Sequence, residues 1–156
     1  MLLKGVIGAA TLNDRASVRD YLREAAAIGA RLGGDRNDYW TVFGPTNVAI
    51  HRVWASMELG DPIDALERAK LAQMEALPVP LLERRSSHLV TVARAWHARR
   101  KDVEAVRVLR VVEHLAPEEL RYNGIVREML RTMLKRERRT IRSELRTLAD
   151  HAEVLE

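Results

Sequence analysis

"GPTNVAIHRVWASMELGDPIDALERA", residues 44–69, is the stretch whose reading decides the fold. Gly44-Pro45 opens a helix, because proline suits a first helical turn, where its missing N–H is no loss. Ile50, Val53, Trp54 and Met57 then recur at spacings of three and four, which puts them on one broad helical face. Gly60 ends that helix. Asp61 stands ready to cap the next and Pro62 takes its first position. A connection this short joins nothing but two helices of a hairpin. Ile63, Leu66 and Ala69 carry the second helix until Pro78 and Pro80 break it.

The same punctuation runs outward in both directions. "MLLKGVIGAATLN" reads as a helix fragment: Lys4 interrupts its apolar run and Asn13-Asp14 closes it too early for a signal peptide. Val18, Leu22, Ala25, Ile28 and Leu32 share one face of the following helix, which holds Gly29 inside it and stops at Gly33-Gly34. A polar and aromatic connector, "DRNDYWTVF", leads into the hairpin already described. Beyond the prolines, a helix from about Leu81 to Arg100 turns at Lys101-Asp102. Its partner carries Ala105, Val106, Leu109 and Val112 to Ala116-Pro117. Ile125, Met129 and Met133, then Ile141, Leu145 and Leu148, mark two more helical stretches. No alternation long enough for a sheet occurs. The expectation is an all-α chain of about seven to eight helices in a single domain, 1–156, with a partial first repeat at 1–34, a second at 44–78, a third at 81–117 and terminal capping helices at 118–156.

Composition agrees. The 156 residues suffice for a real core, with 47% hydrophobic, 31% charged and only 4% aromatic residues, the profile of a mostly helical protein. Zero cysteines exclude a thiol nucleophile, iron–sulfur ligation and the usual structural zinc sites, and fit a reducing compartment, so a cytoplasmic location is expected. No apolar run approaches the roughly 20 residues that span a bilayer. The net charge of +4 is modest and local. All but Lys4, Lys70, Lys101 and Lys135 of the basic residues are arginine.

"LGDPIDALERAKLAQMEALP" and "RRKDVEAVRVLRVVEHLAP" align at an offset of 40 residues, Ala65 on Ala105. In that register Val53 falls on Ala93, Leu66 on Val106 and Ala72 on Val112, and the break near Pro78 comes close to Pro117. Repetition of hairpins marks a solenoid, in which each unit buries its face against its neighbours. The pattern resembles the tetratricopeptide repeat: Ala93, Trp96 and Pro117 stand where that repeat has its small, bulky and closing residues, and Ala105 and Val106 straddle the small position of its second helix. The spacing exceeds the family's repeat of about 34 residues and implies longer helices or linkers. A right-handed α-solenoid of antiparallel hairpins is the implied architecture. "NDYWTVFGPTNVAIHRVWASMELGD", with "LAPEELRYNGIVREMLRTMLKR", resembles more specifically the C-terminal tetratricopeptide-like region of actinobacterial transcriptional regulators with an N-terminal helix-turn-helix domain of the Cro/repressor type. "FGPTNVAIH" is the most specific part. The resemblance implies a helical array that receives a peptide, small effector or protein partner. No helix-turn-helix segment is read in this chain, so it is expected to be an effector domain or a stand-alone relative, with DNA reached only through a domain it lacks.

In such arrays the first helix of each pair lines the concave surface. With Ala49 and Val53 turned to the partner helix, Asn47, Ile50, His51, Trp54 and Met57 are left near the groove. The corresponding face of the next unit carries Arg94 and His97. Asn47 offers an amide to a peptide backbone, Trp54 a stacking surface and Arg94 a partner for carboxylate or phosphate. The competing reading makes Trp54 and Met57 core, since apolar stripes at this spacing are ordinarily packing. Tyr39 and Trp40 either roof the groove or plug a loop. The five histidines are scattered without metal-ligand spacing, and neither a metal nor a cofactor is expected. Asp61, Asp64, Asp102 and Glu104 sit at helix starts and read as capping residues. No nucleophile-elbow, Walker or dinucleotide glycine pattern occurs, so enzyme activity has no positive support.

"REMLRTMLKRERRTIRSELR", 127–146, sets eight basic residues against three acidic ones. It reads as the solvated face of terminal capping helices, with contact to DNA phosphates as the lesser alternative. Its Met129, Leu130, Met133 and Leu134 stripe suits a homodimer. Function is thus expected to be that of a non-enzymatic sensory or interaction module of a bacterial transcriptional regulator, binding a peptide, small effector or protein partner in the groove. The alternative is a structural dimerisation domain without a ligand.

Overall fold

The computed structural model describes residues 1–33, 43–72 and 81–155. Among them are nine helices and no strand: α1 (Leu2–Thr11), α2 (Arg15–Leu32), α3 (Pro45–Glu58), α4 (Pro62–Leu71), α5 (Leu82–Ala98), α6 (Asp102–Leu115), α7 (Pro117–Tyr122), α8 (Gly124–Leu134) and α9 (Arg142–His151). The all-α expectation holds. Tyr39, Trp40, Pro78 and Pro80 lie outside the described residues. None of the described helices is long and apolar enough to cross a membrane. The chain forms two compact units, Met1–Pro80 and Leu81–Glu156.

In the first unit α1 pairs with α2 and α3 with α4, while α3 also packs on both α1 and α2. Val6, Ala9 and Ala10 of α1, Val18, Leu22 and Ala25 of α2, and Val48 and Ala55 of α3 form its core. So much alanine lets the helix axes approach closely. Gly29, which weakens the sequence case for α2, belongs to this packing: a Cβ there would stand 3.5 Å from the Pro45 nitrogen. The punctuation at 60–62 works as expected. Gly60 takes φ 76°, a left-handed conformation open to glycine at no steric cost, and the Asp61 carboxylate accepts from the Asp64 amide at 2.9 Å.

The second unit packs α5 on α6, α6 on α7 and α9, and α8 on α9. Leu109, Leu120, Leu130, Met133, Leu145 and Leu148 are fully buried at its centre. This corrects the dimer stripe. Met129, Leu130 and Met133 point into their own core and only Leu134 is partly buried beside it. Turning such side chains outward would forfeit about 1.5–3 kcal/mol each.

Two further expectations change. A separate six-residue helix, α7, brings the helices among the described residues to nine, above the expected seven to eight; Pro117 begins it and Asn123 ends it. Asn123 then caps α8, its Oδ1 accepting from the Ile125 and Val126 amides. Asp102 makes no cap hydrogen bond at α6. It is buried instead, and Arg136 reaches it from the turn after α8. Burial made the charge partner more valuable than the amide.

The basic stretch 127–146 is largely paired within this unit. Arg131 lies beside Glu128, Arg136 grips Asp102, and Arg142 and Arg146 converge on Glu137. Arg127 donates to the carbonyls of Arg121 and Ala152.

Candidate functional site

The expected site residues fall in two places. Asn47, Ile50, His51, Trp54 and Met57 lie on α3 in the first unit, and Arg94 and His97 on α5 in the second. Asn47 is only 3% exposed, so its amide is not open to a solvent-borne ligand. Its carbonyl lies 2.9 Å from His51 Nδ1, one helical turn on. Trp54 is partly buried against the first unit's core. Ile50, His51 and Met57 are half-buried.

His97 is taken up by its own unit. Arg136 Nη2 lies 3.2 Å from His97 Nδ1 and 2.8 Å from Asp102 Oδ1. At 3.8 Å from Asp102 a protonated ring would form an ion pair. Burial and the Arg136 charge nevertheless outweigh Asp102 and hold the His97 pKa below its ordinary value. Nδ1 therefore accepts from the guanidinium, and the trio is a structural clasp.

A groove that sequence reasoning missed opens on another face of α3. It occupies about 560 Å³ within the first unit. Helix α2 contributes Arg15, Arg19 and Arg23, with Val18 and Leu22 between them; the four-residue spacing of these arginines sets them along one stripe. From α3 come Arg52, Ala55 and Ser56, with Leu59 just beyond its end, and from α4 Asp64 and Arg68. A second cavity of about 190 Å³ adjoins it, sharing Ala26, Arg52 and Arg68 and otherwise walled by Ala30, Pro45, Val48, Ala49 and Leu71.

Most of the groove's charges are already engaged. Arg68 Nε donates to Asp64 Oδ2 at 2.6 Å, and the Ser56 hydroxyl meets the same oxygen at 2.5 Å. Burial acts to raise the Asp64 carboxyl, but these bonds and the charges of Arg68 and Arg52 hold it below its usual range. Arg15 Nη2 donates to the Leu59 carbonyl at 2.6 Å, and Arg23 pairs with Asp20 on the same helix. Arg52 differs. It is half-buried, and its guanidinium makes no hydrogen bond among the described residues, although its carbonyl accepts from the Ser56 hydroxyl. Burial first, then the neighbouring Arg68, lowers its pKa against the weaker pull of Asp64. A guanidinium so placed lacks the carboxylate or phosphate that its fork fits.

Arg52 was legible as a charge on a line with Ala49, Ala55 and Ser56. Turning Ala49 and Val53 to the partner helix placed the expected groove on the face of Asn47, Ile50, Trp54 and Met57 and left Arg52 unread. Among the described residues no cluster of three or more histidine and acidic side chains is placed to hold a metal. Set beside known protein families, curated proteins and solved structures, the chain matches none of them.

Proposed function

We propose that this chain is a non-catalytic sensory or interaction module, of the kind that serves a bacterial transcriptional regulator, and that its ligand sits in the groove of the first unit. The hairpins are read as tetratricopeptide-like units of a right-handed α-solenoid. The observation that carries the reading is the Arg52 guanidinium, half-buried beside Arg68 and without a hydrogen bond among the described residues. Folding alone gains nothing from desolvating that charge next to a like one, whereas a bound partner group does. The two acid–base pairs that could suggest chemistry, Asp64–Arg68 and Asp102–Arg136, satisfy each other. The volume fits a small effector or a short peptide segment, since ligand sites commonly enclose about 300–1,000 Å³.

Thermal-shift measurement of the intact chain against a panel of metabolites and peptides tests this, with Arg52→Met alongside. Methionine keeps the aliphatic stem and removes the charge. The variant alone should be as stable as the parent or more so, and a stabilising compound should lose its effect on it. A panel without any stabiliser, or stabilisers acting equally on both proteins, would overturn the reading.

A further inference from the structure

We infer that the ligand of this groove is a small amphipathic anion, its carboxylate or phosphate head among the arginines around Arg52 and its apolar tail in the adjoining cavity. The inference rests on the reading of the groove as a ligand site and adds the chemical class. Arg52 and Arg68 belong to both cavities and therefore stand at their junction. On one side the larger cavity sets five guanidinium groups against the single carboxylate of Asp64, which Arg68 and Ser56 already occupy. Beyond the junction the smaller cavity has no charged group other than the shared two, and its walls are alanine, proline, valine and leucine.

Each simpler ligand leaves part of this surface unmatched. A cation meets an excess of like charge, since Arg15, Arg19 and Arg52 remain once Arg23 and Arg68 are set against Asp20 and Asp64. A neutral apolar molecule leaves Arg52 desolvated and unpaired. Free phosphate satisfies the arginines and leaves the apolar cavity empty. A nucleic-acid strand needs a continuous basic track, which the apolar cavity interrupts. An anionic head joined to a short aliphatic tail satisfies both cavities at once, with bidentate guanidinium contacts fixing the head and burial holding the tail.

Isothermal titration of the intact chain with octanoate, octyl phosphate, inorganic phosphate and octylammonium, at one fixed salt concentration, tests the inference. Octanoate or octyl phosphate should bind at least tenfold more tightly than inorganic phosphate, and octylammonium should not bind. Whichever of the two heads binds more tightly identifies the headgroup. Arg52→Met should weaken the amphiphiles at least tenfold. Ala49→Leu, which fills the smaller cavity, should weaken them while leaving phosphate binding unchanged. Equal binding of octylammonium and octanoate, phosphate binding as tight as octyl phosphate, or no binding of either amphiphile overturns the inference. A short oligonucleotide that outcompetes both amphiphiles overturns it too. If an uncharged compound stabilises the parent chain but not Arg52→Met, the groove remains a ligand site and only the anionic class is lost.

Discussion

Arg136 holds the buried Asp102 with two hydrogen bonds, Nε to Oδ2 at 2.9 Å and Nη2 to Oδ1 at 2.8 Å, across 34 residues of chain. The pair fastens the turn after α8 to the first residue of α6. Asp102 is 4% exposed, so Arg136→Met strands an unpaired carboxylate. The expected loss is about 3 kcal/mol in denaturant unfolding, and Asp102→Asn on top of it should restore part of that loss. A coupling below about 0.5 kcal/mol in the double-mutant cycle would show the pair to be idle.

Acid should weaken the protein before its carboxylates titrate. His88 is 3% exposed, its Nδ1 has no partner, and burial lowers its pKa from 6.5 to about 4. Its folded pKa is depressed, so between pH 6.5 and 4 the unfolded chain takes up a proton that the folded chain refuses. Stability is complete above about pH 6.5 and falls as pH drops through that window, by about 3 kcal/mol in all from this group. His97, lowered in the same direction, adds to the slope. Unfolding at a series of pH values should show a shallower slope in His88→Leu; an unchanged slope would refute the assignment.

Gly29→Ala should stabilise the first unit. The new methyl meets the Gly44–Pro45 backbone at 3.5–3.7 Å, ordinary van der Waals contact, and alanine is the better helix former by about 1 kcal/mol. Gly29→Leu should do the reverse, because the same backbone blocks a longer side chain. Melting temperatures of the two variants check both signs.

Asn123→Ala removes the cap of α8, whose Oδ1 accepts from Ile125 N at 3.0 Å and Val126 N at 3.3 Å. A cost of about 1 kcal/mol is expected. Asn123→Ser should recover most of it. Hydrogen exchange at the first turn of α8 reads the effect locally, and equal protection in the alanine and serine variants would dismiss the cap.

The helices themselves were legible because their signals are local. Gly60 needs a left-handed backbone, Asp61 caps the amide three residues on, and Pro62 suits a first turn whatever surrounds them. Helix α7 escaped notice because six residues hold too little periodicity to stand apart from α8. At the site, a single arginine beside buried Val53 looks like any solvated charge. Its meaning comes from Arg68, sixteen residues on, and from the α2 arginines brought alongside by packing.

By itself, then, the sequence determined that this chain is built of helices, where most of them start and stop, and that their apolar faces must meet. Such information lies within a few turns of chain, in caps, breakers and a repeat of three to four residues. Only the tertiary structure decided which charged group would be buried with a partner, as the Asp102 carboxylate is with Arg136, and which would be left without a hydrogen bond among the described residues, as the Arg52 guanidinium is. Desolvation and charge pairing depend on which distant helices come together, and helical periodicity carries no record of that.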